Sequence, residues 1–202
     1  MDQAIPDDVV LAAAECVSGG GILLYPTDTV YGIGGDACSD EASDRVRRLK
    51  GAQIDKPLLV LTDDWARVQP WVPRPEGIVK DLMSIGEEHS LTILFPASSE
   101  VPRWLIGASE EVGIRLCRDP FCAGLIRQSG CLLSSTSANR TGERVPVHFT
   151  EIDAKIRAGC DYAVDGGPLP GSASTIVRAA GDGFEMIREG GISYELLERL
   201  LG

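Results

Sequence analysis

The sequence predicts an α/β protein whose twisted sheet mixes parallel and antiparallel strands and is flanked by helices. Short apolar runs alternate with amphipathic stretches along all 202 residues, which is the pattern of α/β proteins. In the last third, the predicted strands are joined by stretches too short for crossover helices, so some pairs there must be antiparallel. Because the chain lacks an internal repeat or a flexible linker, we expect a single domain over residues 1–202.

The elements follow from capping residues and from short apolar runs bounded by turn residues. The first helix begins at Asp7 or Asp8 and stops before Gly19, and Gly51 is placed to end the second helix. The predicted helices span 7–18, 39–50, 75–85, 119–129, 150–158 and 193–201. The predicted strands span 22–25, 58–61, 91–95, 113–116, 131–134, 162–164, 175–177 and 185–187.

Charge and composition exclude several classes of protein. Asp and Glu number 30 against 19 Lys and Arg, and the resulting charge of −11 disfavours general coating of nucleic acid. No apolar run reaches the roughly 20 residues that span a bilayer, and the acidic N-terminus lacks a signal-peptide pattern. We therefore expect a cytoplasmic protein that does not enter membranes.

Cysteine and histidine spacing predicts no structural metal. The six cysteines contain no C-x-x-C pair, and the two histidines lie far apart in the sequence. Most of the thiols are expected to be small buried hydrophobic groups.

The first candidate segment, 25–32, has the sequence Tyr-Pro-Thr-Asp-Thr-Val-Tyr-Gly and follows a predicted strand. Its hydroxyls, carboxylate and phenol around a proline would suit a small polar ligand. Alternatively, it is a turn in which Thr27 and Asp28 satisfy neighbouring backbone groups. The overlapping Gly32-x-Gly34-x-x-Ala37 has the letters of a dinucleotide fingerprint but not its strand-to-helix position, so no dinucleotide site is expected.

Three further features could hold an anion. Lys50 ends the second predicted helix, and residues 134–142 place hydroxyls, an amide and a glycine directly after a strand, as phosphate-binding loops do. Arg115 and Arg188 interrupt apolar strand patterns, so each needs a carboxylate, a phosphate or a water-lined cleft. The alternatives are a Ser-rich turn, an ion pair and exposure at a sheet edge. There is no Walker loop and no G-x-S-x-G elbow.

Taken together, these segments resemble the YrdC/Sua5 family, the threonylcarbamoyl-AMP synthases of tRNA modification, from about residue 7 to residue 192. The family's P-T-[DE]-T-x-Y-G corresponds to 26–32 and its V-x-x-R to 112–115. Its S-A-N-x-S/T-G, S-T-I and R-x-G correspond to 137–142, 174–176 and 188–190.

The resemblance implies a concave, locally positive cavity in which L-threonine, bicarbonate and ATP give threonylcarbamoyl-AMP and pyrophosphate. Mg²⁺ would enter with ATP, no side chain would form a covalent intermediate, and a separate threonylcarbamoyl transferase would pass the product to adenosine 37 of tRNA. By this resemblance the residues expected to bind threonine are Thr27, Thr29, Tyr31, Arg115 and Ser174. Those expected to bind ATP are Lys50, Lys56, Ser135, Ser137, Asn139 and Arg188.

The chain departs from the family pattern at two places. The family's K-x-R appears as Lys50-Gly51-Ala52, so an arginine is missing and Lys56 is the expected substitute. The family's P-G-P-x-T appears as residues 88–92, in which Ser90 replaces the second proline. The chain resembles the short, single-domain form of the family.

Two other functions remain open at this point. One is a non-catalytic protein that binds nucleotide or RNA, with weak RNA binding also open for the enzyme. The other is a carbamoyl transfer like that of hydrogenase maturation, although those chains are longer and carry cysteine pairs.

Overall fold

A computed structural model describes residues 5–51 and 57–202. The helices are α1 (Asp7–Ser18), α2 (Asp40–Lys50), α3 (Ile78–Glu88), α4 (Pro120–Ser129), α5 (Ala154–Gly159) and α6 (Tyr194–Leu201). The strands are β1 (Leu23–Tyr25), β2 (Gly32–Gly34), β3 (Leu59–Thr62), β4 (Leu91–Pro96), β5 (Glu111–Leu116), β6 (Leu133–Ser137), β7 (Tyr162–Ala163), β8 (Thr175–Ala180) and β9 (Gly183–Arg188). Short 3₁₀ turns cover Trp65–Trp71, Arg103–Leu105 and Phe149–Glu151.

Local sequence sets the ends of several helices. The side chains of Ser39, Asp119 and Ser193 accept hydrogen bonds from backbone N–H groups in the first turns of α2, α4 and α6. Gly51 and Gly130 end α2 and α4 in the left-handed conformation, which glycine adopts without steric cost. These caps satisfy backbone groups that the helices themselves leave unpaired.

The described strands form one sheet in the order β7-β1-β2-β6-β3-β5-β4-β8-β9. The pairs β1–β7, β3–β5 and β4–β8 are parallel, whereas β1–β2, β2–β6, β3–β6, β4–β5 and β8–β9 are antiparallel. The predicted mixed sheet flanked by helices is therefore confirmed, including the antiparallel hairpin near the end of the chain.

The two faces of the sheet belong to different hydrophobic cores. Val60 and Ile114 point to a core that α2, α3, α5 and α6 complete, whereas Leu61 points to a smaller core with α1 and α4. Successive residues of a strand point to opposite faces, which is why neighbours in β3 enter different cores. Helices α1 and α4 cover only part of their face, and the remainder is available for a site.

Several predicted elements differ from those in the structure. Strand β2 was not predicted, because two of its three residues are glycines, which seldom favour strands. Helix α3 starts at Ile78 instead of 75, after Gly77 adopts a φ of 51°. The helix predicted over 150–158 is a 3₁₀ turn followed by α5, because the Asp153 carboxylate caps a new helix at the backbone N–H of Lys155 (2.6 Å).

Strand β6, which was predicted over 131–134, begins at Leu133. It continues to Ser137 because Thr136 and Ser137 pair with β2. None of the helices within the described ranges has the length and apolar character needed to cross a bilayer.

Candidate active site

A cavity of about 470 Å³ lies on the face of the sheet that α1 and α4 cover in part. Its polar lining contains two arginines and several hydroxyls, and the described lining includes no carboxylate side chain. Its apolar lining comes mainly from Val30, Leu59, Leu61, Leu94, Val145, Ile176 and Ile187. The polar lining residues are Thr27, Thr29, Arg115, Ser135, Thr136, Ser137, Ser174 and Arg188. In a protein with a net charge of −11, this is a local positive region suited to an anion.

The turn between β1 and β2 supplies Thr27 and Thr29. The Thr27 hydroxyl donates to the carbonyl of Val30 (2.7 Å) and accepts from the backbone N–H groups of Thr29 and Val30. It also lies 2.8 Å from the Thr29 hydroxyl. Thr27 therefore satisfies backbone groups of its own turn, as the turn interpretation expects, and the same turn lines the cavity.

Arg115 extends from β5 into the base of the cavity and is 4% exposed. Its Nη1 donates to the Thr29 hydroxyl at 2.9 Å, and its Nη2 lies 3.3 Å from Asp28 Oδ1. Its Nε has no hydrogen-bond partner among the described residues. Arg115 thus has an internal counter-ion and still reaches the cavity, where it can meet an anionic ligand.

Arg188 and Ser174 form a second side of the cavity. Arg188 donates from Nη2 to the Ser174 carbonyl (2.7 Å), and the Ser174 hydroxyl lies 2.8 Å from the Thr92 hydroxyl. Burial, and secondly the nearby Arg115 charge, lower the pKa of Arg188. Two guanidinium groups that repel each other in one cavity favour the entry of an anion between them.

A β-bulge places Arg188 and its neighbour on this wall. Ile176 pairs with Arg188 whereas Val177 pairs with Met186, which leaves Ile187 as the extra residue of β9. Adjacent residues of a regular strand point to opposite faces, but here both Ile187 and Arg188 line the cavity.

Strand β6 and the end of α2 form the third side. Ser135 accepts a hydrogen bond from the buried Tyr25 hydroxyl (2.9 Å), and Lys50 Nζ donates to the Ser137 carbonyl (2.6 Å). The Ser137 hydroxyl lies 2.5 Å from the Asn139 side-chain oxygen, and Asn139 Nδ2 donates to the Glu143 carbonyl (2.7 Å). Lys50 and Asn139 therefore lie behind Ser137, outside the lining itself.

Tyr31 occupies a different place from the other predicted residues. Its ring is fully buried, and its hydroxyl donates to the Gly167 carbonyl (2.6 Å) and accepts from the Gly166 N–H (3.1 Å). It does not line the cavity, so in this structure it anchors the 165–167 loop. Ala52 and Lys56 lie outside the described residues.

Sequence reasoning omitted two groups that shape this site. Asp28 is the counter-ion of Arg115, and Thr92 is a fully buried hydroxyl that contacts Ser174. Asp28 was visible within the 25–32 segment, and Thr92 as a hydroxyl inside an apolar strand, which needs a buried partner. Their partners come from distant parts of the chain, so only the fold identifies them.

The side chains of the cavity can be compared with what the expected Mg²⁺ needs as ligands. No group of three or more His, Cys, Asp or Glu suited to a metal ion occurs in the part of the chain that the structure describes. The cavity offers hydroxyl oxygens, which fit a Mg²⁺ that brings most of its ligands with it as phosphate oxygens and water.

Comparison with known proteins identifies the family. The Sua5/YciO/YrdC family model, described as "Telomere recombination", matches residues 15–190. A relative from Nitrosococcus oceani named threonylcarbamoyl-AMP synthase is 32% identical over 165 residues, which is 81% of this chain and 89% of the relative. One of the same name from Bacillus subtilis is 32% identical over 200 residues, which is 97% of this chain and 57% of the relative.

Solved structures share the fold. The complex of P. abyssi Sua5 with L-threonine aligns with a TM-score of 0.89 and 24% identity over 99% of this chain. This chain spans 59% of the length of that protein. E. coli YciO aligns with a TM-score of 0.84 and 22% identity, covering 94% of this chain and 93% of YciO. The family match, the curated relatives and the shared fold together show that this chain belongs to the Sua5/YciO/YrdC family.

Proposed function

We propose that this protein is a threonylcarbamoyl-AMP synthase that makes its product and pyrophosphate from L-threonine, bicarbonate and ATP. The observation that carries the proposal is the pair of arginines, buried Arg115 and the more exposed Arg188, in a hydroxyl-rich cavity whose described lining has no carboxylate. Such a cavity attracts carboxylate and phosphate groups, and the reaction brings both together. The names of the relatives from N. oceani and B. subtilis support the same activity.

In this proposal threonine binds near the β1–β2 turn. Arg115 faces its carboxylate, and the hydroxyls of Thr29 and Ser174 contact its polar atoms within the same cavity. The apolar side chains beside them suit the threonine methyl group. That P. abyssi Sua5, which has the same fold, was crystallised with L-threonine is consistent with this choice of ligand.

ATP binds toward β6 and β9 in the same scheme. Ser135, Ser137 and Arg188 contact the phosphates, while Lys50 and Asn139 hold the Ser137 segment in place. Lys56 would add a further positive charge from outside the described residues. Mg²⁺ would arrive with ATP and neutralise part of the triphosphate charge.

The chemistry requires positioning and charge stabilisation. Bicarbonate supplies the carbon dioxide that the threonine amine captures as a carbamate. A carbamate oxygen then attacks the α-phosphorus, and the bond to pyrophosphate breaks. Arginines and hydroxyl donors that are fixed before the reaction stabilise the developing phosphoryl charge, so no protein nucleophile is needed.

The product would pass to a tRNA-modifying threonylcarbamoyl transferase for attachment to adenosine 37. Because ATP and tRNA are cytoplasmic, we also propose that the protein acts in the cytoplasm. Weak RNA binding would accompany this hand-over.

The decisive experiment incubates the protein with L-threonine, bicarbonate and Mg-ATP, and measures pyrophosphate together with the mass of the adenylate. We expect pyrophosphate release to depend on both threonine and bicarbonate. For the variant Arg115→Ala in this assay, Arg127→Ala is the matched control, because Arg127 is a surface arginine with a side chain 63% exposed. Release that is unchanged without threonine would contradict the proposal, and ATP binding without turnover would favour the non-catalytic alternative.

A further inference from the structure

Asp28 lies between Arg115 of the cavity and Ser90, the residue immediately before β4. Its Oδ1 is 3.3 Å from Arg115 Nη2, and its Oδ2 accepts a short hydrogen bond from the Ser90 hydroxyl. The Cys117 thiol also faces Oδ1, at 3.7 Å. The carboxylate that holds Arg115 is therefore itself held from its other oxygen.

The backbone of Ser90, which carries the hydroxyl, is held in place by the sheet. The Ser90 carbonyl accepts a hydrogen bond from the Thr175 N–H (3.2 Å), which ties its backbone to the start of β8. Asp28, by contrast, lies in the turn between β1 and β2 and belongs to neither strand. The sheet therefore fixes the position of the Ser90 hydroxyl, and this hydroxyl fixes the orientation of the Asp28 carboxylate.

Asp28 has room to move if that donor is lost. Asp28 and Ser90 border a second depression of about 350 Å³, separate from the lining of the main cavity, together with His89 and Arg118. A carboxylate without the Ser90 hydroxyl could turn toward water or toward the Arg118 charge. Either movement would remove one of the two side-chain contacts that orient the Arg115 guanidinium.

We propose that Ser90 is a positioning residue that sets the orientation of Arg115 through Asp28, and thereby the affinity of the site for threonine. The inference rests on the proposed function, since it assigns the threonine carboxylate to Arg115.

Ser90→Ala, Ser90→Thr and the control Ser129→Ala test the inference. Ser129 is also half-buried and donates to a backbone carbonyl, that of Ile126, so its loss removes a comparable hydroxyl far from Arg115. We expect Ser90→Ala to raise the threonine KM about 10-fold, the low end for one hydrogen bond to a charged group, with little change in the ATP KM. Ser90→Thr keeps the hydroxyl and should restore the wild-type threonine KM.

A measurement without substrate separates this inference from the proposed function. The Nε–H resonance of Arg115, assigned by its loss in Arg115→Lys, should shift in Ser90→Ala and stay in place in Ser129→Ala. If the wild type forms no threonylcarbamoyl-AMP, the proposed function fails while this resonance still tests the link from Ser90 to Arg115. An unchanged resonance in Ser90→Ala would overturn the inference, as would equal increases in the KM values for threonine and ATP.

Discussion

Gly34 of β2 lies against the backbone of Ser134 in β6, and Gly34→Ala tests how rigid that contact is. An added Cβ would lie 1.7 Å from the Ser134 carbonyl oxygen, whereas real Cβ atoms keep at least about 3.0 Å from such atoms. The two backbones would have to separate by more than 1 Å. Because the obstacle is backbone, no side chain can rotate to relieve the contact.

The cost follows from the hydrogen bonds at this point. Ser134 N–H donates to the Gly35 carbonyl at 2.8 Å, and the Ser134 hydroxyl exchanges hydrogen bonds with Gly35 at 3.2 and 3.3 Å. Separation by more than 1 Å breaks these three bonds, each worth about 1 kcal/mol net, for a loss of about 3 kcal/mol. For a chain of this size, the melting temperature should fall by about 6–12 °C.

Thermal unfolding followed by circular dichroism measures this change. Gly183→Ala is the control, since Gly183 also lies in a strand and its added Cβ would meet nothing closer than the Ala180 carbonyl at 3.8 Å. Its melting temperature should stay within about 2 °C of the wild type. If Gly34→Ala and Gly183→Ala have the same melting temperature, strands β2 and β6 can separate without a cost in free energy, and the reasoning fails.

Three further predictions use the same structure. Arg115→Ala should lower kcat/KM for threonine by about 10-fold or more, measured by pyrophosphate release, because it removes a charge-assisted contact to the carboxylate; an unchanged value would remove Arg115 from the site. Tyr31→Phe should lower the melting temperature by about 2–8 °C, because its buried hydroxyl contacts the Gly167 carbonyl (2.6 Å). Native thiol titration should label exposed Cys38 and spare Cys122, whose pKa burial raises; early labelling of Cys122 would contradict its burial.

The sequence allowed much of the site to be predicted, because chemistry there is concentrated in short segments. Arg115 and Arg188 were singled out as costly inside apolar strands, and the structure places both in the cavity wall. The open question about Arg115 was whether it paired with a protein carboxylate or faced a cleft. It does both, because one guanidinium can contact Asp28 and Thr29 and still border the cavity.

Other features depended on contacts between distant residues and could not be predicted locally. Strand β2 exists because β1 and β6 pair with it on either side, although its two glycines would not form a strand alone. The bulge that places both Ile187 and Arg188 on the cavity side depends on the β8–β9 pairing, and no local sequence pattern predicts it. Tyr31 belongs to the 25–32 segment, yet its hydroxyl contacts the 165–167 loop.

Strands β5 and β9, which carry Arg115 and Arg188, should differ in how readily they open, because they occupy different positions in the sheet. Arg115 lies on β5, which has paired strands on both sides, whereas Arg188 ends β9 at the edge of the strand order. Amide hydrogens of β5 should exchange with solvent only through large-scale opening, while those of β9 exchange through local fraying. A bound anion that bridges both arginines should slow exchange in β9 far more than in β5.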